Sequence, residues 1–109
     1  MATAYKVLGQ SNPSATTNTT AYTVPASTSA VVSTITVTNL TGTAATYRIA
    51  VRPAGAEIAN QHYIAYDVTV AASDTTSLTL GLTLATTDVI TVFASTANLA
   101  FSIFGTEIS

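Results

Sequence analysis

No cysteine occurs in the 109-residue chain, which excludes disulfides, thiolate catalysis and zinc–cysteine sites together. Tryptophan is also missing, and His62 is the single histidine. Charge is scarce: Asp, Glu, Lys and Arg make up 7% of the chain, against about 25% in an ordinary globular domain. Only three residues are basic and the net charge is −2, so there is no electrostatic footprint for nucleic acid or an anionic membrane. No apolar run approaches the roughly 18 residues that a membrane-spanning helix needs. The start, Met1 to Lys6, lacks a basic segment followed by an apolar one, so no signal peptide is expected and synthesis is placed in a cytoplasm.

Thr and Ala fill the vacant places, together about two fifths of the chain. Thr favours strands, whereas Ala is depleted from them and acts as filler. A free monomer keeps itself soluble with about 25–35% charged residues on its surface. A surface this poor in charge suits a chain covered by neighbours in an assembly. The competing explanation is a Thr-rich extracellular domain that relies on hydroxyls.

The pattern along the chain is one of short strands. Ala30 to Arg52 supplies the longest stretch, with Val31, Ile35 and Val37 on one phase and Tyr47, Ile49 and Val51 on the corresponding phase of a second arm. Alternation gives each arm one apolar side and one Thr/Arg side. The turn-prone run Asn39–Thr43 between them reads as a hairpin connection. Further strands are expected at 4–9, 22–24, 62–70, 78–84, 89–94 and 99–108. On the 62–70 strand, alternation puts Tyr63 and Tyr66 on opposite faces. Residues 57–61 read as a loop or a single helical turn. The expectation is one all-β domain over residues 1–109: an antiparallel β-sandwich of about eight strands, jelly-roll or immunoglobulin-like. A faint echo links Thr23–Ser27 to Thr69–Ser73 and suggests equivalent corners of two Greek-key halves.

Chemistry-bearing constellations are absent from the sequence. No Gly-x-Ser-x-Gly turn accompanies His62, which is expected to be an exposed strand-end residue. Asp74 and Asp88 precede strands, where carboxylates cap local backbone N–H groups. No Asp-x-Asp spacing offers a calcium loop, and neither zinc nor phosphate has a candidate set of ligands. No catalytic residue, metal or cofactor is therefore assigned. A sugar-binding aromatic strip would need aromatics two apart on one strand, and none is so spaced; one assembled across strands stays open. The sequons Asn18-Thr19-Thr20 and Asn39-Leu40-Thr41 are expected by chance in so Thr-rich a chain.

Several runs together resemble a family of small proteins encoded by tailed bacteriophages, cyanophages among them. They are Tyr22-Thr23-Val24-Pro25-Ala26, Val32 to Asn39, Arg48-Ile49-Ala50-Val51, His62 to Asp67, Gly81 to Ala85 and Phe104-Gly105-Thr106-Glu107-Ile108. The resemblance implies a non-enzymatic virion component: a tail fibre, baseplate or capsid-decoration protein made in the host cytoplasm. Its partners would be copies of itself, a trimer among the options, and larger tail or capsid proteins, with no nucleic acid and no membrane. The candidate contact residues are Leu8 on the first strand and Phe104 and Ile108 on the last. Arg48 and Arg52 join them on the Thr/Arg face, where a neighbour's acids could land, Asp67 and Glu107 being the acids proposed. The alternative function is a glycan-binding module used in host attachment.

Overall fold

The computed structural model describes residues 2–109. Eight strands form the chain: β1 (Thr3–Ser11), β2 (Thr19–Thr23), β3 (Ser29–Asn39), β4 (Ala45–Arg52), β5 (Tyr63–Val70), β6 (Thr75–Leu84), β7 (Val89–Ala94) and β8 (Leu99–Ile108). Two 3-10 turns, Pro53–Gly55 and Asn60–His62, lie between β4 and β5. The strands make two four-stranded antiparallel sheets in the orders β1-β8-β3-β6 and β2-β7-β4-β5. That interleaving is the jelly-roll order and not the immunoglobulin one.

The order corrects the hairpin reading of residues 30–52. β3 pairs with β6 and β8, and β4 pairs with β5 and β7, so the two arms belong to different sheets. Their connection is an arch across the sandwich, and Asn39 builds it. The buried Asn39 amide donates to Thr43 O (2.8 Å) and Val70 O (3.3 Å), while its Oδ1 accepts from the Thr41 N–H (3.0 Å) and hydroxyl (2.8 Å). Two other corners match one another. The sequence echo at Thr23–Ser27 and Thr69–Ser73 falls on the β2–β3 and β5–β6 corners, both crossing from the second sheet to the first. Ser27 (φ 55°) and Ser73 (φ 54°) hold the same left-handed backbone there.

The core is the inner phase of both sheets. Val24, Ala30, Val32, Ile35, Val37, Tyr47, Ile49, Val92, Leu99, Phe101 and Ile103 are all fully buried. The first sheet carries an irregular seam that moves this phase. On β1 Leu8 is skipped in the register with β8 between Phe104 and Ile103, and on β3 Ser33 is skipped between Gly105 and Phe104, on either side of Phe104. The β3–β6 register slips at the same height. Such bulges reverse the alternation beyond them. Val31 is therefore outward and Val32 inward, contrary to the unbroken alternation expected for β3. Leu8, expected at a subunit contact, is turned into the core instead.

Tyr47 packs edge-on against Phe101, with ring centroids 6.1 Å apart, and its hydroxyl makes no hydrogen bond. Burial alone raises that phenol above its ordinary range. An unpartnered buried hydroxyl destabilises, whereas the ring contributes normally. Tyr47→Phe should therefore leave stability unchanged or raise it by about 1 kcal/mol. Urea unfolding of the two proteins side by side checks this.

Candidate functional site

Charged residues are few, and most of them have a partner within the chain. Arg48 points outward from β4 between β5 and β7. Its Nε donates to Asp67 Oδ1 at 2.7 Å, with a longer Nη2 contact to Oδ2 at 3.4 Å. The guanidinium lies 4.2 Å from the Tyr66 ring centroid and 4.3 Å from that of Phe93. Two bulges on β5 make this arrangement. Tyr66 and Asp67 together oppose Arg48 alone, and Asp67 takes left-handed backbone (φ 52°), which short carboxylate side chains tolerate. A second extra residue, Ile64, separates the pairs Ala50–Tyr63 and Ile49–Ala65.

The bulges overturn the expectation that Tyr63 and Tyr66 face opposite ways. Their rings meet edge to face, 4.9 Å apart at 87°, on the outer side of the second sheet. With Asn60 they line a depression of about 370 Å³. No local signal in the sequence marks this: strict alternation sets Asp67 with Tyr63, Ala65 and Thr69, on the phase opposite the apolar Ile64, Tyr66, Val68 and Val70.

The loop from Pro53 to His62 closes over the neighbouring part of that face. Arg52 holds it down, donating to Ala56 O (2.6 Å), Gly55 O (2.9 Å) and the Thr91 hydroxyl (3.2 Å). Asp88 accepts from Ala54 N and Ala85 N, both at 2.8 Å, and Asp74 accepts from Thr75 N at 2.8 Å, the capping expected of these acids. His62 is buried and not exposed as expected. Its ring Nδ1 accepts the Ala59 N–H at 3.0 Å, while the His62 backbone N–H donates to Ala59 O, so backbone and ring together close a 3-10 turn.

Arg48 and Arg52 are thus engaged inside the chain. β4, which carries both, is an interior strand of its sheet. The acids proposed for neighbours are likewise held at home, Asp67 by Arg48 and Glu107 by Lys6 (3.0 Å). Glu107 also accepts the hydroxyl proton of Tyr22 at 2.6 Å, tying β8 to β2 of the opposite sheet. The Tyr22 hydrogen bond first, then that of Lys6, holds the Glu107 carboxyl below its usual range. Burial, reinforced by Glu107, pushes the Tyr22 phenol up.

The sign of the pH effect follows. A carboxyl depressed in the fold adds stability fully present above its unfolded value and lost as pH falls through the folded one. Glu107→Gln should give a protein whose Tm changes less between neutral and acid pH than the parent's. Calorimetric scans at a series of pH values check this. Tyr22 acts at the opposite end: its contribution is complete below the ordinary phenol range and is lost as pH rises through the raised value.

The outer face of the first sheet is different in kind. Tyr5 and Val7 on β1, Phe104, Thr106 and Ile108 on β8 and Val31 on β3 share it, joined by Thr34, Thr36, Thr79 and Thr83 through the register. Tyr5 is 84% exposed and Val7 46%, while Phe104 and Ile108 are half-buried. The charged residues of these four strands, Lys6 and Glu107, belong to the opposite phase, where Glu107 reaches Tyr22. No charged side chain is left on this face among the described residues.

Among the described residues no group of three or more His, Asp or Glu side chains is placed to hold a metal ion, and no helix is long and apolar enough to cross a membrane. Compared with protein-family models, with curated proteins and with solved structures, the chain matches none.

Proposed function

We propose that the protein is a non-enzymatic structural component of a tailed-phage virion that associates with copies of itself and docks on a larger tail or capsid protein. The uncharged outer face of the β1-β8-β3-β6 sheet carries this reading. Mixed charge over a domain's surface keeps it apart from its neighbours, and an entire sheet face without charge invites contact. Tyr5, Val7, Val31, Phe104 and Ile108 give that face an apolar half, and its Thr residues supply hydroxyls for a polar rim. Burying such a face yields roughly 25 cal/mol per Å² of apolar area removed from water, less the cost of immobilisation. Two of the five contact residues expected from sequence, Phe104 and Ile108, lie on it. Leu8, Arg48 and Arg52 do not, for the reasons given above.

The jelly-roll order is compatible with this role, being common to capsid proteins, lectins and cupins, but a fold shared so widely selects none of them. Head and tail positions are both open to such a module. Immunogold labelling separates the outcomes: antibody against the chain should decorate purified virions at one regular location. Unlabelled virions, with the protein recovered only from the lysate, would remove the virion role.

A further inference from the structure

We propose that Asn60, Tyr63 and Tyr66 form a binding site for a neutral carbohydrate. The site lies on the second sheet, away from the uncharged face, so it does not rest on the assembly reading. Its volume of about 370 Å³ falls within the roughly 300–1,000 Å³ of small-molecule pockets. The two tyrosine rings stand at 87° to one another, giving the depression two differently directed aromatic walls. Each ring joins an apolar body to a hydroxyl, and Asn60 adds an amide that both donates and accepts. Sugars present the complementary surface, C–H faces beside hydroxyl edges.

Two further observations narrow the ligand. Tyr66 is 55% exposed, yet Arg48 stacks on it and is in turn locked by Asp67 and Phe93. An exposed ring already held in place loses little freedom on binding. The same lock decides the charge. Arg48 is the cation beside the depression, and Asp67 neutralises it through Nε at 2.7 Å and Nη2 at 3.4 Å, so the pair offers an anionic group no net positive charge. Single-stranded nucleic acid also stacks on aromatics, but it needs a basic groove. The depression has none.

Saturation-transfer NMR and titration calorimetry with maltotriose, cellotriose, chitotriose and mannotriose test the proposal, with glucose 6-sulfate and an oligothymidine as charged controls. At least one neutral trisaccharide should bind at millimolar concentration or below. Tyr63→Ala and Asn60→Ala should each weaken it about tenfold or more, with circular dichroism and sedimentation unchanged. Tyr66→Ala should do the same; because it also releases Arg48, the other two variants carry the decision. Silence across the neutral panel, preference for a charged control, or binding unaffected by Tyr63→Ala and Asn60→Ala would each overturn the site. None of these results bears on whether the protein labels virions.

Discussion

Gly105→Ala should cost about 3 kcal/mol, a large share of the roughly 5–15 kcal/mol that holds a domain together. Gly105 sits on β8, an interior strand, between Lys6 of β1 and Val32 of β3. A Cβ at this position would collide with Val31 O and lie 3.0 Å from both Val32 Cα and Leu8 Cδ1. The first of these is backbone in the middle of a paired ladder and cannot swing aside as a side-chain tip would. Relief requires β3 and β8 to part at the bulged seam, where Leu8 on one side and Ser33 on the other already interrupt the register. Gly81 provides the control, since nothing lies within 4 Å of a Cβ built there. Gly81→Ala should be nearly neutral, and chemical denaturation of both variants measures the contrast.

Asn39→Ala should cost a comparable amount, about 3 kcal/mol, because it leaves more than one polar group without its partner in the arch between β3 and β4. Val70 O lies at a buried contact, and Thr43 O and the Thr41 N–H are half-covered. Asn39→Asp should not rescue the loss at neutral pH. The carboxylate keeps the bonds to Thr41 but sets a negative charge against the Thr43 and Val70 carbonyl oxygens, where the amide had donated. Thermal unfolding of the three proteins should rank the parent well above both variants. An Asp variant as stable as the parent would mean that the amide donors do not hold the arch.

The sandwich and its strand count were legible because Thr-rich alternation is a local signal. Leu78, Leu80 and Leu82 on β6, partly buried against the core, show that signal surviving at a sheet edge. What alternation cannot supply is which strand lies beside which. Residues 39–43 look the same whether they close a hairpin or arch between sheets; the difference lies in the partners Val70 and Thr43 that Asn39 finds. Nor does alternation survive a bulge. Val31 moved outward, Leu8 moved inward, and Tyr63 joined Tyr66 on one side, each at or beside an extra residue in the ladder. The candidate sugar site was therefore hidden, although all its residues lie within seven positions of one another. His62 was misplaced for a different reason, as its environment depends on a 3-10 turn that one short, composition-neutral loop does not announce.

Self-association through the β1-β8-β3-β6 face is the physical core of the account, and sedimentation equilibrium of the pure protein tests it most directly. The parent should form a defined oligomer whose population grows with concentration. Val7→Glu and Val31→Lys, each placing a charge at an exposed position of that face, should weaken association about tenfold or more, roughly 1.4 kcal/mol, without lowering Tm appreciably. A parent that stays monomeric at every concentration, or an oligomer indifferent to both charges, would contradict it.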